Sequence, residues 1–155
     1  MHRQELPQLE LSDGDLFGAA LLAPPFASDL SIWTVRIHKH GLLTQTVSVS
    51  QPPTFDSHLA VLRQHVPKQR LDTLKKIVEE EELLTFGRFP EICMTDQEHT
   101  RLMIRLFGQT TVIDGYGPHA VAQMGDTDAD KEKARRYCKL WDAILTLTPF
   151  MPYRE

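Results

Sequence analysis

Cysteine is scarce in this sequence, since only Cys93 and Cys138 occur among 155 residues. The two lie far apart and neither belongs to a Cys-x-x-Cys pair, so neither a disulfide framework nor a zinc ribbon is indicated. A free cysteine behaves as a small hydrophobic residue. We therefore expect two buried thiols that are not joined to each other, in the reducing environment of a cytoplasmic protein.

Long hydrophobic runs and basic clusters are also missing. The longest apolar stretch near the N-terminus, residues 16–25, is too short to span a bilayer, and Asp13 and Asp15 precede it where a signal peptide has basic residues. The 17 basic and 21 acidic residues give a formal net charge of -4, and no group of lysines and arginines could neutralise several phosphates. We expect neither a membrane nor a nucleic acid as a partner.

The motifs that mark the best-known enzyme classes are absent as well. The chain contains no Gly-x-Gly-x-x-Gly, no P-loop, no Gly-x-Ser-x-Gly and no His-Glu-x-x-His, which excludes the common phosphate cradles, the nucleophile elbow and the zincin pair. It has no four-ligand set with zinc spacing either. The sequence therefore predicts no cofactor and no structural metal, and it leaves open only enzymes that carry no such mark.

The composition that remains is that of an ordinary globular protein. With 41% hydrophobic and 25% charged residues, a chain of 155 residues can bury one substantial core, so we expect a single domain over residues 1–155. Its first 15 residues are polar and contain the turn-forming residues 12–15. We expect this segment to form an arm on the surface or an edge of the sheet.

Two stretches of the sequence share one layout. Residues 32–37 and 42–47 are β-branched, alternating runs on either side of a glycine turn, and so are residues 102–106 and 110–113. A helical pattern follows each pair of runs. The sequence thus predicts two strand-strand-helix units and an α+β fold, in which two main helices pack on one face of an antiparallel sheet of four to six strands.

The core is expected between the apolar face of the sheet and the two helical stripes. These stripes are residues 71–78 and 134–145, where apolar side chains recur at helical spacing. Each large side chain buried there contributes about 1.5 to 3 kcal/mol, so exposing either stripe is improbable. We expect Trp33 and Trp141 to meet in this core from the sheet and from the last helix. A capping pattern at residues 127–130 opens that helix.

Three segments do not give a single reading. Residues 58–66 fit a strand or a helix, and we favour a third strand. Residues 16–23 fit a short strand or a helical turn. The four glutamates of residues 79–82 stand at a helix end where the macrodipole disfavours negative charge, so we expect that end to fray and to be solvated.

The order of hairpin, helix, Thr95-Asp96, second hairpin, residues 114–118 and final helix resembles that of bacterial proteins with a domain of unknown function. The resemblance covers roughly residues 30–147. Some of those proteins have a cysteine-rich start to the first strand, where this chain has residues 28–31. The resemblance implies a bacterial protein with the duplicated layout. It implies no activity, because those families are themselves uncharacterised.

One loop combines groups that could perform acid/base chemistry. Asp114, Tyr116 and His119 supply a carboxylate, a phenol and an imidazole beside two glycines. Burial could tune their pKa values for proton transfer, as in a small hydrolase, or they could line a pocket for a small ligand. The alternative is a loop in which each of these groups has a structural partner.

Two further sets have the residue types of a metal site. His38 and His40 would point to the same side of a continuous strand, and Cys93, Asp96 and His99 are spaced by three. Neither set has a complete complement of ligands. We therefore interpret them as a solvated hairpin tip and a loop.

The parity of the strands places a basic group on the sheet face that points away from the helices. The candidate binding residues there are Arg36, His38, Arg101 and Arg105. We expect a non-enzymatic binding or protein-interaction module that uses this polar face to dock a protein partner or a second copy of the chain. An ordinary solvated face, a small enzyme and a small-ligand binder at residues 114–119 remain the alternatives.

Overall fold

The computed structural model describes residues 9–22, 30–50 and 57–150. Within these ranges the strands are β1 (Asp15–Leu22), β2 (Leu30–His38), β3 (Leu42–Ser50), β4 (Ser57–His65), β5 (His99–Leu106) and β6 (Gln109–Tyr116). The helices are α1 (Lys68–Glu80), α2 (Pro118–Met124) and α3 (Asp128–Leu145), with a short 3₁₀ turn at Leu83–Thr85. The strands form one antiparallel sheet in the order β4-β3-β2-β1-β5-β6, so the predicted α+β fold is confirmed.

The two predicted units are each longer than a hairpin and a helix. In the first, β4 follows β2 and β3 before α1, so the ambiguous residues 58–65 belong to a strand, as favoured. In the second, the short helix α2 precedes α3. The segment that fitted either a strand or a helical turn is β1, and it lies at the centre of the sheet, between β2 and β5. Hydrogen bonding on both sides makes this glycine- and alanine-containing segment a strand, although its own strand propensity is low.

The core lies between one face of the sheet and helices α1 and α3. Trp33 of β2 and Trp141 of α3 are fully buried, with ring centroids 5.8 Å apart, as predicted. Leu71, Leu74 and Val78 of the first helical stripe are also buried. The helices cover this inner face, and the opposite face of the sheet is called the outer face below.

The ends of the two main helices are held by different means. Thr127 caps α3, because its hydroxyl accepts a hydrogen bond from the amide of Asp130 at 3.0 Å. The acidic end of α1 is held by α3, since Arg136 donates to the carbonyl of Glu81 at 2.8 Å and Lys139 pairs with the Glu81 carboxylate at 3.0 Å. The predicted solvated end is confirmed for Glu79, Glu80 and Glu82, which are exposed, whereas Glu81 is half-buried. The positive charges of Arg136 and Lys139 in α3 offset the negative charge at the C-terminal end of α1.

Part of the predicted arm lies across the outer face of β1. Leu9 is buried, and a Cβ atom at Gly18 would lie 2.9 Å from the side chains of both Leu9 and Leu11. The backbone of Gly18 therefore leaves room for the close approach of residues 9–11. The remainder of the arm, residues 1–8, lies outside the described residues.

Candidate functional site

Two of the four candidate binding residues hold the arm. Arg36 donates to the hydroxyl of Ser12 at 2.5 Å and lies 3.6 Å from a carboxylate oxygen of Asp15. Arg105 donates to the carbonyl of Ser12 at 3.2 Å. Both arginines lie on the outer face, as their parity indicates. Their donors are engaged by the chain itself, which reduces what they can offer to a partner.

The other two candidate binding residues also have partners within the chain. Arg101 makes two hydrogen bonds to the carboxylate of Asp114, at 2.6 and 3.1 Å. This contact is the main reason why the pKa of Arg101 is raised above its usual value. His38 accepts a hydrogen bond from the amide of His40 at 3.1 Å. The predicted basic face is therefore largely compensated by intramolecular contacts.

The three candidate catalytic residues are not assembled into one proton-transfer site. The carboxylate of Asp114 is paired with the guanidinium of Arg101 at 2.6 Å, so it is engaged within the fold. The hydroxyl of Tyr116 donates to the carbonyl of Met94 at 2.8 Å and accepts from the amide of Gln97 at 3.2 Å. Both side chains thus hold other parts of the structure, as expected for the structural alternative.

His119 belongs to a different group of side chains. Its Nε2 atom lies 2.8 Å from a carboxylate oxygen of Asp142 in α3, and its Nδ1 atom lies 3.8 Å from one of Glu98. Hydrogen bonds with Asp142 and then Glu98 raise the pKa of His119 to about 9. The imidazole is therefore protonated at neutral pH, and it cannot act as a general base there.

Cys138 lies in the same charged neighbourhood but is not a nucleophile. The residue is buried, and this burial, followed by the charges of Asp142 and Glu98, raises the pKa of its thiol to about 12. The thiolate that nucleophilic catalysis requires is thus suppressed. No sequence signal points to this cluster, because Glu98, His119 and Asp142 come from separate segments of the chain.

No metal site is present in the described ranges, where no group of three or more His, Cys, Asp or Glu side chains could hold an ion. Cys93 and Cys138 are both free thiols, as predicted. Cys138 is buried as expected, but Cys93 is exposed, so the prediction of two buried thiols is wrong for Cys93, which lies in the segment before β5 and not on a helical stripe. The ring of His99 packs against Tyr116 with centroids 4.6 Å apart. The rings of His38 and His40 lie 5.1 Å apart at the hairpin tip.

A cavity of about 530 Å³ lies between β6 and the segment that precedes β5. Asp114 and Tyr116 line it, together with Val112 and residues 87–92. The same segment also contacts the beginning of β6, because Gln109 donates to the carbonyl of Leu84 at 3.3 Å. The segment between α1 and β5 thus runs along the β6 edge of the sheet and covers it, with an open cavity between the two along part of its length.

The opposite edge of the sheet is open. β4 pairs with β3 over all nine of its residues without a bulge, and no strand of the described ranges pairs with its other side. On the outer face Leu59 is 66% exposed and Val61 46% exposed. Ala60 is exposed on the helix side, so the helices leave this strand uncovered on both faces. The alternating pattern of residues 58–66 predicts a strand but does not indicate that this strand lies at an edge.

Comparison with known proteins leaves the family open. No protein-family model matches the chain, and no curated protein matches it significantly. None of the helices in the described ranges is long and apolar enough to cross a membrane. The class that the fold and the surfaces define is an α+β protein whose single antiparallel sheet has one covered edge and one open edge.

Proposed function

We propose that this protein is a non-enzymatic interaction module that associates with a second copy of itself through the open edge of β4. The observation that carries the proposal is a strand of nine residues that is paired on one side only and exposes Leu59 and Val61. An exposed apolar edge of this length is a template for pairing with another strand. The sequence predicts a docking surface on the polar outer face, and we propose instead that association takes place at the β4 edge of that face.

β4 lacks the features by which proteins normally prevent pairing between edges. Among residues 57–65 there is no proline and no lysine, and the pairing with β3 shows no bulge. Arg63 is the one side chain of the strand with a permanent charge. Edge strands of natural proteins commonly contain a proline, a lysine or a bulge, which prevents association between edges. Their absence from β4 favours pairing of this strand with another strand.

The strand is complementary to itself. When two copies pair antiparallel about a two-fold axis at Val61, all nine residues overlap, because Ser57 then faces His65 of the second copy. Leu59 faces the stem of Arg63, and no two permanent charges stand directly opposite each other. Because paired residues have equal parity, Leu59 and Val61 of both copies lie on the outer face, where they form an apolar strip.

The proposal is tested by replacing Val61 with lysine. Two ammonium groups then face each other at the axis, and we expect association to weaken by about 100-fold or more. Val61 is exposed, so folding stability should change by about 0.5 kcal/mol or less. Sedimentation velocity over a range of concentrations measures the association, and thermal unfolding measures the stability.

The matched control is Val112→Lys. Val112 is 47% exposed on the outer face of the other edge strand, and Val61 is 46% exposed. We expect Val112→Lys to associate as the unaltered protein does. A protein that stays monomeric at every concentration, or a Val61→Lys variant that associates normally, overturns the proposal. The proposal is also overturned if the β4 edge pairs with a strand of a different protein and the chain does not self-associate.

The register can be tested with a disulfide. In a Cys93→Ser background, Val61→Cys places two thiols opposite each other at the proposed axis, within the distance that a disulfide requires. Leu59→Cys is the control, since its two copies would stand four residues apart, which is about 13 Å along the strand. Efficient cross-linking at position 59 but not at 61 would contradict this register.

A small ligand in the β6 cavity is the second candidate function. A cavity of about 530 Å³ has the size of a ligand site. The polar groups of Asp114 and Tyr116 are already engaged with Arg101 and with the backbone of Met94, however. These two polar groups are therefore not free to bind a ligand in this cavity. In the enzymatic alternative, His119 is not the general base, because it is protonated at neutral pH.

A further inference from the structure

A second cleft, of about 350 Å³, lies at one end of the sheet. The turn between β2 and β3, the end of β4 and the first turns of α1 form its walls. The ionisable side chains that line it are Lys39, His40, His65, Lys68, Asp72 and Lys75. Val66 and Leu71, both buried, add an apolar surface to the same cleft.

The walls of the cleft are held together by the backbone. The amide of Val66 donates to the carbonyl of Gly41 at 2.7 Å, and the amide of Gly41 donates to the carbonyl of His38 at 2.8 Å. Gly41 has a φ of +93°, and a Cβ atom there would lie 2.4 Å from the carbonyl oxygen of Val66. Only glycine permits this approach of the turn to the start of α1. The cleft is therefore preformed.

The charge of the cleft is positive and unbalanced. It contains three lysines but one carboxylate, Asp72, whereas the whole chain has a formal charge of -4. Within the described ranges, none of the three lysines has a carboxylate partner within 4.0 Å. Lys76, which is outside the cleft on the same helix, pairs with Glu80 at 3.6 Å. Of these neighbouring lysines on α1, the one with a counter-charge is thus the one that lies outside the cleft.

The position of Lys68 adds to this imbalance. Lys68 is the first residue of α1, and no acidic residue lies in the first turn of that helix. A cation at this end is opposed by the helix macrodipole, and its repulsion from the other lysines adds to the cost. An anion in the cleft would offset both repulsions, because it is attracted by the lysines and by the N-terminal end of α1.

We propose that this cleft binds a small anion that carries a phosphate group. Lysines bind phosphate as point charges. Three lysines match the charge of a doubly charged phosphate group better than they match the single charge of a carboxylate ligand. A volume of about 350 Å³ is at the lower end of the range for ligand sites. It accommodates inorganic phosphate or a small phosphate ester, whose carbon atoms would contact Leu71. Three lysines in a protein with a formal net charge of -4 are a small basic group, which disfavours an extended nucleic acid.

The test is a titration of the full chain at constant ionic strength. Two-dimensional NMR of the backbone amides detects binding at each step of the titration. Inorganic phosphate is used in one series and glycerol 3-phosphate in another. We expect saturable shifts at Gly41, Val66 and Lys68 with a Kd of about 1 mM or lower. Tighter binding of the ester would show that the apolar wall contributes, and equal binding would indicate a site for phosphate alone.

The variants that sharpen the test lie on one helix. Replacing Lys68 and Lys75 together by glutamine should weaken binding by about tenfold or more, whereas Lys76→Gln should leave it unchanged. The shifts measured on the unaltered chain do not depend on whether the variants fold.

The proposal is overturned if chloride at matched ionic strength gives the same shifts, if no shift saturates, or if the double variant binds phosphate normally. Tenfold tighter binding of a single-stranded oligonucleotide also overturns it. Val61→Lys should bind phosphate normally, which separates this site from the β4 edge.

Discussion

The two edges of the sheet present similar strands with different surroundings. Val61 and Val112 are equally exposed on the outer face of β4 and β6. The chain between α1 and β5, residues 81–98, covers β6 through contacts with the carbonyls of Leu84 and Met94. No described segment covers β4 in this way. An alternating strand can thus be closed by its own chain or left open, and the strand sequence alone does not indicate which.

The cause of the difference is the path of the chain. α1 follows β4 at one edge, and the next strand, β5, pairs with the central strand β1. The connection between α1 and β5 reaches the far edge before it enters the sheet, and its backbone groups find partners on β6 on the way. β4 is followed directly by α1, so there is no comparable connection to cover it.

The largest effect that distinguishes the edges is expected on their helix-facing sides. A Cβ atom at Gly115 of β6 would lie 3.2 Å from both the Thr100 hydroxyl and the ring of Tyr137. We expect Gly115→Val to lower the free energy of unfolding by about 2 to 3 kcal/mol, because overpacking forces the neighbours apart. Ala60 is the equivalent position on β4 and is exposed, so Ala60→Val should change the stability by about 0.5 kcal/mol or less. Urea unfolding of both variants measures the difference, and equal losses would show that β4 is covered.

A smaller effect is expected when the arm is released from the outer face. Replacing Arg36 and Arg105 together by serine removes the contacts to Ser12 and should lower stability by about 1 kcal/mol or less, since both contacts are partly solvated. Amide exchange at residues 9–12 should become faster. Self-association should be unchanged, because the proposed interface is at β4. Loss of association in this variant would indicate that the chain associates through the polar outer face and not through the β4 edge.

The smallest effect concerns the charged cluster on the covered side. The pKa of His119 is raised to about 9 in the folded protein, against 6.5 for the ordinary group. Its contribution to stability is complete below pH 6.5 and is lost as the pH rises towards 9. The side chain is 42% exposed, so solvent screening should keep the loss to about 1 kcal/mol or less.

Thermal unfolding between pH 6 and 9 checks this expectation, with His119→Gln as the control that removes the dependence. Above pH 9 the buried thiol of Cys138 adds a second decline, because only the unfolded chain releases its proton readily. A parallel pH dependence of His119→Gln and of the unaltered protein over the lower range would contradict the role of the cluster.

The local structure was largely readable from the sequence. The hairpins, the strand at residues 58–65, the cap at Thr127 and the burial of Trp33 and Trp141 were predicted and are confirmed. Each depends on a period of two or 3.6 residues, or on a turn or cap formed by neighbouring residues. β1 was ambiguous, because its strand conformation is imposed by pairing on both sides.

The candidate site was less predictable for the same physical reason. Parity correctly placed Arg36 and Arg105 on the outer face, but their partner Ser12 lies in another segment. Asp114 and His119 are five positions apart in the sequence, yet the fold gives them the separate partners Arg101 and Asp142. No local pattern reports such pairings.

By itself the sequence determined which segments alternate, which are helical and which faces are apolar, because periodicity and turn chemistry act over a few residues. Only the tertiary structure decided that β6 is covered and β4 is open, and that three lysines line a cleft without counter-charges. These features depend on the order of strands in the sheet and on the path of the chain between them. They arise from contacts between residues that are distant in sequence, where the cost of closing a long loop is repaid by packing and hydrogen bonding.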